Sequence, residues 1–159
     1  MYDSAMLRAE LSRDEGRRTK PYRDSEGILT IGVGWNLEAN GLPENIIDQL
    51  LDIGIARAQA DVAALDPDWE LLTDTRQRVL INMAFNLGRT RLARFINMWE
   101  AIRIGDYARA AEEMLDSRWA RQVGERAHRL AEMMRDGGAS TRERPGGARR
   151  TGGVFTGGA

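Results

Sequence analysis

One stretch of this chain alternates with period two. Between residues 22 and 37, Leu29, Ile31, Val33, Trp35 and Leu37 are separated by small or polar residues. Successive side chains of a strand point to opposite faces, so the segment reads as a small antiparallel sheet or hairpin, with Asp24-Ser25-Glu26-Gly27 as its turn. Gly32 and Gly34 permit close backbone approach within it. The remaining apolar patterns have helical spacing. A chain with one small sheet among many helices is predicted to be α+β, mostly α.

Asp3 or Ser4 can cap a first helix carrying Leu7 and Leu11, and Gly16 suits the left-handed position just past its end, which puts Glu15 at the C-terminal end. Asn40-Gly41 turns the chain. Pro43 suits the first position of a helix and Glu44 its positive end. Ile47, Leu50, Leu51, Ile55, Ala58, Val62 and Leu65 then form a stripe until Asp66-Pro67 stops it. Gly54, inside that stripe, costs about 1 kcal/mol relative to alanine and marks a bend. Asp74 with Gln77 three later signals another start, and residues 79–87 are apolar on nearly every side, the signature of a buried central helix. Further helices are expected over 90–104, 106–115, 117–122 and 125–135, broken by Gly88, Gly105, Gly124 and Gly137. Residues 138–159 hold too few apolar side chains to offset ordering and are expected to be a flexible tail rich in Gly and Arg. No internal repeat is present.

With 159 residues and 42 % hydrophobic content the chain can bury a sizeable core as one domain or two small lobes. No apolar run approaches membrane-spanning length, and residues 1–8 lack the basic start and apolar stretch of a secretory signal, so cytoplasmic synthesis without membrane insertion is expected. The absence of cysteine and the single histidine, His128, leave zinc hydrolysis and Cys-His proteolysis without their usual ligands or base. No metal or cofactor is expected, and His128 reads as an exposed helix residue among arginines. The net charge is −1, and Arg142, Arg144, Arg149 and Arg150 against Glu143 make the tail +3 and the rest −4. Attraction to nucleic acid is therefore weak, and recognition must be local.

Two carboxyls, one protonated and one ionised, suffice to hydrolyse a glycosidic bond with no metal. Glu15, Asp24 nine positions on and Thr30 six beyond that supply such a set. The helix end disfavours a second negative charge at Glu15, which suits a proton donor. Asp24, in a solvated turn, suits the ionised partner, and the Thr30 hydroxyl can both donate and accept to position a water. Taken singly, each has a plainer reading: a solvated helix-end acid, a turn former and a strand residue. Glu26 reads as a turn or salt-bridge residue. Asn82 and Asn86 share one face of the apolar central helix, either as core amides bonded to backbone or as supports for a site. On periodicity Phe85, Trp69, Trp99 and Trp119 read as packing residues, although Phe85 can also wall a sugar site.

The segments Arg13-Asp14-Glu15-Gly16 and Tyr22-Arg23-Asp24 through Thr30-Ile31-Gly32-Val33-Gly34, followed by Arg78-Val79-Leu80-Ile81-Asn82-Met83-Ala84-Phe85-Asn86-Leu87-Gly88, Ser117-Arg118-Trp119 and Glu125-Arg126-Ala127, together resemble the phage-type lysozymes of glycoside hydrolase family 24, the T4-like endolysins. The resemblance covers almost the whole chain except its tail. It implies a lysozyme-like catalytic domain over 1–137: a sheet lobe at about 12–42, a linking helix at about 43–65, and a helical lobe at about 66–137 that includes the N-terminal helix.

It also implies a muramidase cutting the β-1,4 bond between N-acetylmuramic acid and N-acetylglucosamine, with acid Glu15, base Asp24 and water-positioning Thr30. Arg126 matches an arginine that sits beside the catalytic glutamate and orients it. Read from the residues themselves, Asn82 is the candidate support for that group, and Phe85 and Asn86 are the candidate substrate contacts. Family enzymes of this kind look inverting, which requires carboxyls roughly 6.5–9.5 Å apart. The expected partner is a peptidoglycan glycan strand, met by a monomer after release through a separate holin-like protein. A lytic transglycosylase and a non-catalytic glycan-binding or structural module are the alternatives. Two features depart from the family: Trp35 stands where close relatives often carry histidine, and the stretch from the strands to Pro43 is short.

Overall fold

The computed structural model describes residues 1–137; the expected tail lies outside them. The chain divides into two units, Met1–Ile53 and the residues from Gly54 on.

In the first unit, helix α1 (Ser4–Asp14) begins at Asp3, whose side chain accepts from the N–H groups of Ala5 at 2.9 Å and Met6 at 3.0 Å. It closes at Glu15, whose N–H donates to the Leu11 carbonyl, and Gly16 follows at φ 75°. Leu7 and Leu11, the apolar positions of this helix, are both exposed. The division places α1 with the sheet.

That sheet has the order β1 (Arg18–Arg23), β2 (Leu29–Gly32), β3 (Trp35–Asn36), antiparallel throughout. Strand β1 starts earlier than the alternation suggested, and its register shifts between Arg18 and Tyr22. Pro21 lies in that interval and has no N–H to give the ladder. The β2–β3 connection passes through Gly32 at φ 71° and Gly34 at φ 66°, conformations a side chain opposes. Leu37, expected as the last strand residue, instead starts a short helix, α2 (Leu37–Asn40), because the Asn36 side chain accepts from the Ala39 N–H and caps it.

Helix α3 (Glu44–Leu65) follows Pro43 and contains the division at Ile53 and Gly54. A 3-10 turn at Trp69–Leu71 precedes α4 (Asp74–Leu92), capped by Thr73. Gly88 interrupts α4 at φ 69°, ψ 164°, and the Arg89 N–H restarts the helix by donating to Asp61 of α3.

The helix expected over 90–104 is divided. Its first turn belongs to α4, and α5 (Ile96–Arg103) begins afresh. The Trp99 indole N–H donates at 3.0 Å to the Leu92 carbonyl, the acceptor a continuous helix would offer to Ile96. Helices α6 (Tyr107–Leu115), α7 (Arg118–Val123) and α8 (Glu125–Asp136) complete the unit, the first two capped by Asp106 and Ser117.

Helix α8 packs on α4, α6 and α7. Leu80, Met83, Leu92, Met98, Ile102, Met114 and Met134 fill the core fully buried. Arg76 is buried with them. Its guanidinium lies 3.4 Å from the Tyr107 ring centroid and donates to the carbonyls of Met134 and Arg135, closing the end of α8. The protein is α+β and mostly helical, as its patterns predict. Among the described residues no helix is long and apolar enough to cross a membrane.

Candidate active site

Three of the residues singled out by sequence share the first unit. Glu15 is exposed at the end of α1. Its carboxylate lies over Gly34 so closely that a Cβ there would meet Oε2 at 3.0 Å. The absent side chain of the β2–β3 turn is what makes room for it. No hydrogen bond or ion pair engages the Glu15 carboxylate among the described residues.

Asp24 follows the last residue of β1 and is half-buried. Its Oδ1 accepts two backbone N–H groups, from Glu26 and Ile28, each at 2.9 Å. Its own N–H and carbonyl pair with Ile28 and Gly27, so the turn is held by the chain that carries the acid. Oδ2 has no hydrogen-bond partner among the described residues. The neighbouring Arg23 donates to the Gly27 carbonyl at 2.6 Å and to Glu38 of α2 at 3.2 Å, bracing the same turn.

Thr30 stands mid-sheet, paired with Tyr22 on one side and Asn36 on the other. It is 4 % exposed and donates its hydroxyl proton to the Ile28 carbonyl at 3.1 Å. Its remaining capacity is as an acceptor. Trp35, on β3, donates its indole N–H to the Gly41 carbonyl at 2.7 Å and ties the strand to the end of α2 while staying exposed.

The other expected site residues lie in the second unit, all drawn from α4 and α8. Asn82 is half-buried, and its side-chain oxygen accepts from Arg126 Nε at 3.0 Å and Nη2 at 2.6 Å. Arg126 also reaches the Asn82 carbonyl at 3.3 Å. Asn86 is exposed, and its side-chain oxygen accepts from the Trp119 indole at 2.9 Å. The two side-chain oxygens thus serve side chains on other helices, and among the described residues neither amide bonds to backbone. Trp69, Trp99 and Trp119 are buried, as their spacing suggested. Phe85, in contrast, is 50 % exposed.

Sequence reasoning missed a cavity of about 720 Å³ in the second unit, lined by Arg91, Arg94, Phe95, Asn97, Arg118 and Trp119 among others. Its walls come from α4, α5, α6 and α7, and no single periodic segment signals such a convergence. Phe95 and Trp119 meet there edge to face, with ring centroids 6.2 Å apart.

The family model described as Phage lysozyme matches residues 12–135. The chain is 32 % identical over 148 residues to the pre-baseplate central spike protein Gp5 of Enterobacteria phage T4, covering 76 % of this chain and 26 % of that protein. It therefore spans about a quarter of that relative's length. It is also 25 % identical over 156 residues to Probable T4-type lysozyme 1 of Dictyostelium discoideum, covering 80 % of this chain and 92 % of that one. With Probable T4-type lysozyme 2 of the same organism it shares 22 % over 161 residues, at 82 % and 94 % coverage.

Proposed function

The chain belongs to the phage lysozyme family, and from that membership we propose that it is a peptidoglycan hydrolase, a muramidase cutting the β-1,4 bond between N-acetylmuramic acid and N-acetylglucosamine. Glu15 gives its proton to the glycosidic oxygen as that bond breaks. A water attacks the anomeric carbon from the opposite face and loses its proton to Asp24. Thr30 accepts a hydrogen bond from this water and fixes its direction.

One observation carries the reading. Asp24 commits Oδ1 to two backbone donors and, among the described residues, keeps Oδ2 uncommitted, in the unit that also presents the Glu15 carboxylate, which has no partner among them either. What supports the base role is that Asp24 Oδ2, the Glu15 carboxylate and the Thr30 hydroxyl, which keeps acceptor capacity, all belong to one unit.

Arg126 is held by Asn82, and Phe85 and Asn86 contact the glycan. The product has the inverted anomeric configuration, which proton NMR of the first turnover reads directly. Purified protein should clear a suspension of bacteria stripped of their outer membrane, and Glu15→Gln should abolish clearing without lowering the melting temperature. Full clearing by that variant rejects the proposal. Mass spectrometry of the fragments separates hydrolysis from transglycosylation, since anhydro products are lighter by one water.

The similarity to a phage spike protein favours a second reading of the setting, in which this hydrolase is carried on a particle. Detection of the chain in purified particles tests that, and its absence there leaves a released enzyme.

A further inference from the structure

Gly54 occupies the middle of α3, where glycine is the least favoured residue other than proline. The reason lies on α4. A Cβ at position 54 would come within 2.5 Å of Phe85 Cε2, 3.1 Å of Cζ and 3.5 Å of Cδ2, the first far inside any van der Waals contact. The Phe85 ring edge therefore rests against α3 where that helix lacks a side chain. Half of the residue stays open to solvent, beside exposed Asn86, which Trp119 steadies.

An aromatic ring set against bare backbone, with half of its surface free, can serve as a platform. Apolar sugar faces pack on such rings, and a neighbouring amide supplies the hydrogen bonds that orient them.

We infer that Gly54 is a positioning residue for glycan binding: its missing side chain sets the depth at which Phe85 meets the sugar. This rests on the hydrolase reading and adds to it the determinant of one sugar contact. Any side chain at position 54 swings the ring outward, since the ring is the movable partner and the helix backbone is not. Displacements of this size change how well a bound sugar fits.

The test uses the full chain with Glu15→Gln present to prevent turnover, and soluble peptidoglycan fragments measured by calorimetry. Gly54→Ala should weaken fragment binding about fivefold or more, while the melting temperature stays level or rises because alanine favours the helix. A merely structural role would change stability and leave fragment affinity untouched. Phe85→Ala should weaken binding as well, and Gly54→Ala added to Phe85→Ala should weaken it no further, because the ring it displaces is gone. Unchanged affinity in either single variant, or an undiminished Gly54→Ala loss without the ring, overturns the inference. Lysis retained by Glu15→Gln in the otherwise native chain strikes the hydrolase reading alone and leaves the Gly54 result to be judged as binding.

Discussion

From Ala58 to Met134, the second unit holds every buried apolar side chain of the described residues, while between Met1 and Ile53 the one buried side chain is Thr30. The two regions reach order by different routes. The second excludes water from methionine, leucine, alanine and tryptophan side chains on converging helices, and its polar contacts such as Arg76 to the end of α8 are additions to a packed interior. The first relies on caps, turns and a short ladder: Asp3 on α1, Asp24 within its own turn, Asn36 on α2, Arg23 across to Glu38. Hydrogen bonds of this kind contribute about 0.5–1.5 kcal/mol each, and surface ion pairs less. The catalytic groups proposed here lie where the interior is smallest.

Mutations can break this comparison at either end. The largest effect expected is on chemistry: Glu15→Gln should lower lysis about 10²–10⁴-fold with no loss of melting temperature, because its carboxylate makes no hydrogen bond or ion pair among the described residues. Leu80→Ala, in the second unit, should cost about 2–5 kcal/mol by denaturant titration. Asp24→Asn keeps Oδ1 and should keep the turn, so activity should fall about 10²-fold or more while stability moves by less than about 0.5 kcal/mol. Gly34→Ala should cost about 1–3 kcal/mol for the positive φ and should also impair lysis, since its methyl would press on Glu15. Leu11→Ala should change stability by no more than about 0.5 kcal/mol, and a loss as large as that of Leu80→Ala would show an interior in the first unit after all. Native-state hydrogen exchange sharpens the same contrast, with amides of β1–β3 opening before those of α4 and α8.

Much of this was legible from local rules. Asp3, Asp106 and Ser117 lie at helix starts and cap them, Gly16 and Gly88 mark breaks, and the alternation from Leu29 to Trp35 became two paired strands. These features depend on neighbours within a few residues, which a sequence displays. What it did not display were choices made by distant partners. The Trp99 indole takes the Leu92 carbonyl and divides a helix that periodicity would run through. Phe85 has the spacing of a core residue, yet it lies half open against Gly54.

The candidate site divides similarly. The placements of Glu15 at a helix end, Asp24 in its turn and Thr30 in a strand were legible from local pattern. The division of labour between the two oxygens of Asp24, and the bond from Arg126 to Asn82, follow from tertiary placement alone.

Trp35 gives the protein a reporter for its less packed region. Of the four tryptophans, Trp69, Trp99 and Trp119 are 7 %, 3 % and 4 % exposed, whereas Trp35 is 41 % exposed and is the one in the first unit. Its emission should lie to the red of the other three and should be quenched by iodide or acrylamide at concentrations that leave them bright. Loss of the indole bond to Gly41 would then be visible as a change in a single fluorophore, so melting of the sheet can be followed by light alone while the helical interior remains intact.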